Sequence, residues 1–336
     1  GSQVTYDKTP PELTYVNISS NNADTTWAKV SDYISIVFTS SEVISLDSLA
    51  LIPSVSILGQ TASVTDLQDN KFSAVYVPTD SDSEGEAAFE IQFSDLAGND
   101  GTPVTASTNN TKVIFDRTPP TDFTVGLLTP TGGNQAAGIW NLTNTGMDII
   151  VPVANDTTLK NGWVLLYGKI GANGFEDLGA PAEIVSSDLS TDKVISVQGE
   201  RIEELTGFAE GEIIYVKAEM FDRPGNITEG SQSATEILID ETPASITPIA
   251  IISNNDNTAL AKVGDTVTVS FTTSEILIDT TVSISGQSAN ITGLGSNQFK
   301  AEYAMAEGDP EGVIEFEISF IDVQGNPLTG TNATTD

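Results

Sequence analysis

Acidic and amide side chains recur at equivalent places along this chain, beside a Thr-Pro dipeptide, after an apolar run or in a tight turn. The candidate ligand sets are Asp7, Glu42, Asp95 and Asn99; then Asp116, Asp156, Asp222 and Asn226; and then Asp240, Glu275, Asp322 and Asn326. Carboxylate and amide oxygens are the donors that Ca²⁺ prefers, and each set lacks the nitrogen and sulfur donors that suit zinc. The chemistry predicted for these residues is therefore the binding of a structural Ca²⁺ ion.

No histidine and no cysteine occur among the 336 residues. Without histidine the chain lacks the commonest general base, so Ser-His-Asp and Cys-His catalysis are excluded. Without cysteine no disulfide can hold the fold together. A pair of carboxylates could still hydrolyse a glycosidic bond, but these acids recur along the chain and form no single cleft-like set. We therefore predict that the protein is not an enzyme.

The sequence contains the same segment twice, because residues 253–326 repeat residues 20–99. A diverged segment lies between the two copies, and matching linkers begin all three units: Asp7-Lys-Thr-Pro-Pro, Asp116-Arg-Thr-Pro-Pro and Asp240-Glu-Thr-Pro. Tandem arrays usually work through length, spacing and surface. We predict three units, at residues 3–115, 116–239 and 240–336.

The first two residues and the last strand of the chain are interpreted separately. Gly1-Ser2 is interpreted as the remnant of a cleaved tag. Aligning Asp95 with Asp322 leaves the third unit without a counterpart of Lys112–Asp116. We therefore expect the last strand to be truncated, and residue 336 to be a boundary placed within a larger array.

Apolar and polar residues alternate with a period of two through most of the chain, as in 72–77 and 314–320. The pattern predicts an all-β protein: a tandem array of three immunoglobulin-like antiparallel β-sandwiches. Strands of the first unit are expected near 13–18, 27–30, 33–40, 53–58, 62–67, 71–77 and 87–94, with another from 103. One helical turn is expected at 200–205, and Trp163 is expected in the core of the second unit.

Counting strands sorts the acidic residues by the end of the sandwich at which they lie. Neighbouring antiparallel strands run in opposite directions, so the linker, the end of the second long strand and the turn after the sixth strand share one end, the near pole. The candidate ligands fall there. Further acids fall at the opposite end, the far pole: Asp80, Asp82 and Glu84 in the first unit, and Asp309 and Glu311 in the third. Those of the first unit adjoin Asp116, so an ion shared between units is geometrically reasonable.

Aspartate and asparagine are also ordinary turn residues, so any one of these motifs alone predicts only a turn. Recurrence at three equivalent boundaries is what favours ion binding. Glycine in the turn Asp-x-x-Gly-Asn would allow a positive φ, which would let the asparagine side chain or a backbone carbonyl face the ion.

The chain has 13 Lys and Arg residues against 47 Asp and Glu residues, a net charge of −34. Such a surface repels nucleic acid and anionic lipid, so neither is predicted as a partner. No run of 18 apolar residues is present, so direct membrane insertion is not expected either. The acidity has two compatible explanations, namely a solvated surface that keeps the chain soluble and carboxylates that bind cations.

Three motifs resemble a known family: the turn Phe93–Asn99, the strand-ending pair Ser41-Glu42, and the boundary Asp-x-Thr-Pro-Pro. They resemble the bacterial immunoglobulin-like repeats of very large secreted adhesins, including the calcium-binding repeats of RTX-type and non-fimbrial giant adhesins. In that family the aspartates of the turn and the linker bind Ca²⁺ and stiffen the junction. The resemblance implies this role for Asp7, Asp95, Asp116, Asp222, Asp240 and Asp322. It is weaker in the second unit, where Arg223-Pro224 replaces Leu-Ala.

The sequence therefore predicts an extracellular or cell-surface extender segment that holds a distal adhesive domain, with neighbouring repeats of the chain and other copies in a surface array as partners. Two alternatives stay open. One is a surface-layer lattice subunit, for which seven Asn-x-Ser/Thr sequons would suit glycosylation: Asn17, Asn109, Asn141, Asn155, Asn226, Asn290 and Asn332. The other is recognition of a glycan or protein by the second unit, with Trp140, Tyr167 and Phe175 as the aromatic candidates.

Overall fold

Side chains of the long strands alternate between the buried face and the solvent face of each sheet. In the computed structural model, which describes residues 3–46 and 53–331, the strand Ile34–Ser40 buries Ile34, Ile36 and Phe38 and turns Ser35 outward. Burying every second side chain removes one apolar face from water and leaves the other solvated. The chain is all-β and built from antiparallel sandwiches, which confirms the predicted fold class.

Within the described residues, the first unit has ten strands in three sheets. The strands are β1 (Leu13–Ser20), β2 (Trp27–Ala28), β3 (Ile34–Ser40), β4 (Ser54–Ile57), β5 (Gln60–Thr61), β6 (Ser63–Asp66), β7 (Lys71–Tyr76), β8 (Gly85–Glu86), β9 (Phe89–Gln92) and β10 (Ile114–Phe115). The sheet orders are β1-β3-β7-β6, β5-β4-β9 and β2-β10-β8. All pairs are antiparallel except β2 with β10. The strand expected from residue 103 is only a bridge between Val104 and Ile91, because Pro103 has no N–H to donate and a polar run follows.

The second unit has two sheets and two short helices. Its elements are β11 (Leu128–Thr131), β12 (Ile139–Trp140), β13 (Gly146–Val153), a 3₁₀ turn (Thr157–Leu159), β14 (Trp163–Ile170), β15 (Glu176–Asp177), β16 (Ala182–Glu183), β17 (Thr191–Gln198), α1 (Gly199–Glu203), β18 (Ile213–Phe221), β19 (Ile227–Glu229) and β20 (Ile237–Ile239). One sheet has the order β11-β13-β17, and the other has β12-β20-β18-β14-β15 with β16 and β19 at its side. Helix α1 confirms the helical turn expected at 200–205.

The prediction that Trp163 lies in the core is wrong. Strand β14 turns Val164 and Leu166 inward, so its period of two turns Trp163 outward. There the indole stacks on Phe221 with 5.3 Å between ring centroids. The core tryptophan of this unit is Trp140, which is fully buried.

The third unit repeats the first with fewer interruptions. Its strands are β21 (Ile246–Ser253), β22 (Thr266–Thr273), β23 (Leu277–Ile284), β24 (Gln287–Ser288), β25 (Asn290–Gly295), β26 (Gln298–Ala304), β27 (Phe316–Asp322) and β28 (Pro327–Thr331). They form two sheets, β21-β22-β26-β25 and β24-β23-β27-β28. Strand β23 is continuous where the first unit carries the extra residues between Glu42 and Val55, part of which lie outside the described residues.

Three separate apolar cores lie between these sheets. They span Val16–Phe115, Val125–Ile239 and Ala244–Phe320. Equivalent phenylalanine pairs stack in the first and third cores, Phe38 on Phe72 at 5.3 Å and Phe271 on Phe299 at 5.2 Å. The cores fall inside the three predicted units, whose boundaries stay a prediction. No helix in the described part of the chain is long and apolar enough to cross a membrane.

Candidate metal centres

The near pole of the first unit gathers carboxylates from three separate segments. One oxygen each of Asp7, Glu42 and Asp95 lies within 4.8 Å of the other two. Asp7 is exposed in the linker, whereas Asp95 is only 2% exposed. A bridge between Ile44 and Asp95 fixes the Glu42 segment beside the turn. The structure thus brings together the carboxylates that strand counting places here, and their binding of a cation stays a prediction.

The turn that carries the aspartate and asparagine has the same geometry in all three units. In each turn the aspartate N–H donates to the asparagine carbonyl at 3.1 Å, and the aspartate Oδ1 accepts from the asparagine N–H. The intervening glycines all have positive φ: 86° at Gly98, 90° at Gly225 and 94° at Gly325. Glycine adopts this backbone conformation without steric cost, as expected. One carboxylate oxygen therefore closes the turn, and Oδ2 faces other partners.

The junction of the first and second units buries two of the predicted carboxylates. Asp222 is fully buried and Asp116 is 6% exposed. Asp116 Oδ1 accepts from the Thr118 N–H at 3.0 Å, whereas its Oδ2 has no hydrogen-bond partner among the described residues. Burial raises the pKa of Asp116, and the charges of Glu84 and Asp156 raise it further. A buried, unpaired carboxylate oxygen surrounded by acids is costly unless a cation or a proton balances it.

Glu84 reaches this junction from the far pole of the first unit. Its Oε1 accepts from the Arg117 N–H at 3.0 Å and from the Thr118 hydroxyl at 2.6 Å. The bond from Thr118 is the main cause that lowers the pKa of Glu84. A carboxylate of the first unit is therefore held, in its charged form, against the linker that carries Asp116.

The junction of the second and third units has the same plan. Asp322 is fully buried; its Oδ1 accepts from the Gln324 N–H at 3.0 Å and its Oδ2 from the Ala244 N–H at 3.1 Å. Glu275 Oε2 is buried without a partner among the described residues. Burial raises the pKa of Glu275, as do the charges of Asp240, Asp322 and Glu210. Four carboxylates therefore influence one another here.

Glu210 is the one member of this set that the sequence-based prediction missed. Its Oε2 accepts from the Glu241 N–H at 2.9 Å, as Glu84 accepts from Arg117. The sequence carries a signal for it, because Glu84-Gly-Glu and Glu210-Gly-Glu occupy equivalent places before β9 and β18. At both internal junctions the preceding unit thus contributes one glutamate.

The asparagines of the turns hold the linkers in place. The Asn226 side-chain amide donates to the Asp116 carbonyl at 3.1 Å and to Asp222 Oδ2 at 2.9 Å. Asn326 donates to the Asp240 carbonyl at 3.0 Å and accepts from the Leu142 N–H at 2.9 Å. In both junctions the amide N–H group, not a lone pair, is directed at the linker.

Side chains unrelated to ion binding also dock the first two units. Arg223 Nη2 lies 2.8 Å from Asp24 Oδ2, and its guanidinium group lies over the Trp27 ring at 5.3 Å. Asn22 donates to the Pro224 carbonyl at 2.8 Å. Arg223-Pro224, which replaces the Leu-Ala of the first unit, therefore forms an interdomain contact. Bidentate or stacked arginine is well suited to such a role.

The second and third units dock through amide groups in place of the arginine. Asn141 donates to the Gln324 carbonyl at 2.8 Å, and Asn134 donates to the Gly325 carbonyl at 2.9 Å. Both amides donate to backbone carbonyls of the turn 322–326, which is the third unit's equivalent of the turn that contains Arg223. Each junction is therefore a packed surface as well as a cluster of acids.

The raised pKa values of the buried carboxyl groups predict how stability depends on pH once divalent cations are removed. Burial, with a contribution from the Asp116 charge, raises the pKa of Asp222 from 3.8 to about 6. Between these values the folded state holds a proton that the unfolded state releases, so the free energy of unfolding falls as the pH rises from about 4 to about 6. Allowing for solvent screening, we expect a loss of roughly 1–2 kcal/mol.

Urea unfolding in chelator at several pH values measures this loss. Asp222→Asn should flatten the profile, and Ca²⁺ should flatten the wild-type profile because the ion binds the deprotonated carboxylate. Equal profiles for wild type and Asp222→Asn in chelator would contradict the assignment.

The remaining candidate residues have partners of other kinds. Asp82 is buried and accepts from the Tyr76 hydroxyl at 2.8 Å, and Asp309 pairs in the same way with Tyr303 at 3.1 Å. Trp140 is a core residue, so it is not available as an exposed aromatic platform. Tyr167 and Phe175 are half-buried and are joined by the ammonium group of Lys217, 5.6 Å and 4.9 Å from the two rings.

Two of the seven sequons are engaged in the junctions. Asn141 is fully buried and donates to the third unit, and Asn226 donates to the linker. Neither side chain is free to carry a glycan in this fold. Asn332 lies outside the described residues.

Comparison with known proteins gives structural neighbours at low identity. No family model and no curated protein matches the sequence. Among solved structures, a 1.5-MDa bacterial ice-binding adhesin is 14% identical, with a TM-score of 0.42 and 98% of each chain covered. A Ca²⁺-stabilized, ice-binding adhesin of an Antarctic bacterium is 15% identical, with a TM-score of 0.46 over 96% of this chain and 74% of that one. A marsupial T cell receptor is 9% identical, with a TM-score of 0.36 over 95% and 100%. Values this low transfer no function to the present chain.

Proposed function

We propose that this chain is a non-catalytic extender segment of a large cell-surface or secreted protein, in which Ca²⁺ bound at the junctions stiffens the array that projects a distal adhesive domain. One observation carries the proposal: both internal junctions bring together acids from a linker and from the units on either side of it, and each leaves a buried carboxylate oxygen unpaired. Such an arrangement is unfavourable without a cation and favourable with one.

The donor sets fit calcium. At the first junction the charges of Glu84, Asp156 and Asp222 are coupled through Asp116, and at the second those of Glu210, Asp240, Glu275 and Asp322 are coupled to one another. Among the described residues, the carboxylates that already lie within 4.8 Å of one another are those of Asp7, Glu42 and Asp95, so an ion at the internal junctions would draw its ligands closer together. Ca²⁺ accepts six to eight oxygen ligands in flexible geometry, whereas Mg²⁺ demands a small, regular octahedron and keeps several waters. Carboxylates contributed by four separate segments at each internal junction suit the larger ion.

A bound ion would stabilise the junction mainly by neutralising the repulsion between the carboxylates of the linker and those of the flanking units. Two carboxylates about 5 Å apart repel by roughly 3 kcal/mol at an effective dielectric constant of about 20. If free Ca²⁺ exceeds a site's Kd about 100-fold, each site adds about 2.7 kcal/mol to the folded state. The Arg223 and Asn141 contacts set the relative orientation of the units, and the ion would lock the linker into it.

Calcium binding at the junctions also favours a location and a set of partners. External calcium is abundant enough to fill sites of modest affinity, so we place the chain outside the cell. Its partners are the neighbouring repeats, and copies in a surface array remain a prediction, as does the surface-layer alternative.

Thermal melts of the full chain in chelator, millimolar Ca²⁺ and millimolar Mg²⁺ test the proposal. Calcium is expected to raise the Tm well above its value in chelator, with a smaller effect of magnesium, because only calcium matches the donor sets. Small-angle X-ray scattering on the same samples should show one stiff, extended shape in calcium and a broader distribution in chelator.

A matched pair of variants sharpens the experiment. Glu84→Gln removes a carboxylate of the first junction, whereas Glu86→Gln removes a neighbouring acid that pairs with Lys112 on the sheet. The calcium-dependent rise in Tm should shrink for the first variant only. Identical melts in all three solutions would reject the proposal.

A further inference from the structure

We propose that the cleft between the first and second units binds a neutral saccharide, with Trp163 as the platform on which a sugar ring stacks. Such a site would let the array adhere at an internal junction and not only through a distal domain, which goes beyond the spacer role proposed above.

The cleft lies where residues 21–32 of the first unit meet the turn 222–226 of the second. Its volume is about 390 Å³, within the range of roughly 300–1,000 Å³ that is usual for small-molecule sites, which often lie at domain interfaces. Asn22, Lys29 and Asp32 line the wall of the first unit, and Asn161, Trp163 and Arg223 line that of the second.

Trp163 supplies the aromatic surface of the cleft. It is half-buried on the outward face of β14, and Phe221 stacks on its indole with 5.3 Å between ring centroids and 21° between ring planes. Among the described residues no second aromatic ring and no cationic group lies over this indole. The electron-rich face of an aromatic ring attracts the weakly positive C–H groups of a pyranose. Because Phe221 already holds the ring, stacking a sugar on it would cost little side-chain entropy.

Two polar side chains of the cleft have unused hydrogen-bonding capacity. Asn161 is exposed, and its side-chain amide makes no hydrogen bond to a described residue. Lys29 forms no ion pair within the part of the chain that the structure describes. Its Cε lies 3.9 Å from the position that a Cβ on Gly225 would take, so it reaches the second unit. An amide both donates and accepts and an ammonium group donates three bonds, which suits sugar hydroxyls.

The remaining polar side chains hold the two walls together. Arg223 donates to Asp24 through Nε and Nη2, each at 2.8 Å. Asn22 donates to Asp32 at 2.9 Å and to the Pro224 carbonyl at 2.8 Å. Two of these contacts cross from one unit to the other, so the separation of the walls is set before a ligand arrives. A preformed site binds with less loss of conformational freedom than one that must be ordered.

The charges of the cleft favour a neutral ligand. Lys29 and Arg223 balance Asp24 and Asp32 within it, and the whole chain carries a net charge of −34. A balanced cleft in an acidic protein offers an anion little attraction. A saccharide combines an apolar C–H face, which fits Trp163, with a rim of uncharged hydroxyl groups.

The aromatic platform belongs to one junction and is not part of the repeat. Strand β23 pairs with β27 in the third unit as β14 pairs with β18 in the second. However, β23 contains no aromatic residue, and no tryptophan occurs in residues 240–336. A feature that served only to space consecutive units would be expected at both junctions. Trp163 therefore adds a property that spacing does not require.

NMR spectroscopy of the full chain in calcium tests the inference. The indole N–H signals of the three tryptophans are followed while methyl glycosides of glucose, galactose, mannose and N-acetylglucosamine are added singly, up to about 50 mM, which detects millimolar dissociation constants. At least one glycoside should shift the Trp163 signal saturably. The Trp140 signal should stay in place, because Trp140 is fully buried. No saturable shift of the Trp163 signal with any of these glycosides would overturn the inference.

Variants locate the site, with binding measured from saturation transfer to the sugar protons. Trp163→Ala should weaken binding about tenfold or more. Asn161→Gly, which tolerates the positive φ of 65° at this position, should weaken it about three- to tenfold. Trp163→Phe keeps an aromatic face and should retain measurable binding. Phe175→Ala removes an aromatic ring elsewhere on the same unit and should change nothing; loss of binding in this variant but not in Trp163→Ala would reject the assigned cleft.

Lys29→Gln and added salt distinguish a neutral ligand from an anionic one. For a neutral sugar, Lys29→Gln should weaken binding about three- to tenfold, and added salt should have no effect because no charges are paired. Glucuronate and N-acetylneuraminate are the anionic probes. Tighter binding of these acids, lost in salt and in Lys29→Gln, would overturn the assignment of a neutral saccharide. The calcium-dependent rise in Tm is measured without sugar, so the proposed function stands or falls separately.

Discussion

Asp322→Ala is expected to lower the free energy of unfolding by about 3–5 kcal/mol in calcium and by about 1–3 kcal/mol in chelator. The carboxylate accepts from the backbone N–H groups of Gln324, Asn326 and Ala244, and it is fully buried. Its removal leaves these donors unpaired in both conditions. In calcium the variant also loses the contribution of the proposed ion site.

Denaturant unfolding in the two solutions measures both parts of this loss. Asp279→Ala is the matched control, because Asp279 is an exposed carboxylate on β23 of the same unit. It should change stability little in either solution. Equal losses for Asp322→Ala in calcium and in chelator would show that Asp322 only closes its turn and binds no ion.

Trp140→Ala is expected to cost about 3–5 kcal/mol, nearly the same in calcium and in chelator. Trp140 is the largest fully buried side chain, and its removal leaves a cavity in the core of the second unit. The backbone of Trp140 still accepts from the Asp240 N–H at 2.9 Å, so the linker keeps its attachment. The loss therefore comes mainly from core packing, although burial raises the pKa of Glu241 in the next linker and the indole N–H lies close enough to lower it in part.

Trp163→Ala provides the comparison for this variant. Trp163 is half-buried on the outward face of β14 and stacks against Phe221. Its loss should be clearly smaller in thermal or denaturant unfolding. Similar losses for the two tryptophan variants would contradict the assignment of Trp140 as the core residue.

Features that depend on one strand and its neighbour were predictable from the sequence. Alternation in 33–40 and 71–77 predicted β3 and β7, and counting strands placed Glu42 and Asp95 at one pole. The position of a residue along a strand sets its end of the sandwich, and this requires no knowledge of side-chain conformations.

Features that depend on the orientation of one unit against the next were not predictable. Arg223 looked like a departure from the repeat, and only the packed junction shows it against Asp24 and Trp27. The tripeptide Glu210-Gly-Glu matches Glu84-Gly-Glu in sequence, but only the packed junction shows that the Glu210 carboxylate contacts the next linker. Trp163 is a different case, because the period of two in Trp163–Ile170 alone turns this side chain outward, and the core position belongs to Trp140.

The parallel pairing of short strands has a mechanical consequence. Strand β2 near the start of the first unit pairs in parallel with β10 at its end, and β12 pairs in the same way with β20 in the second unit. When the two ends of a unit are pulled apart, such strands slide lengthwise past each other, and their hydrogen bonds bear the load together. Antiparallel terminal strands would instead peel open one bond at a time. Under tension along the array, these two units should therefore resist in shear.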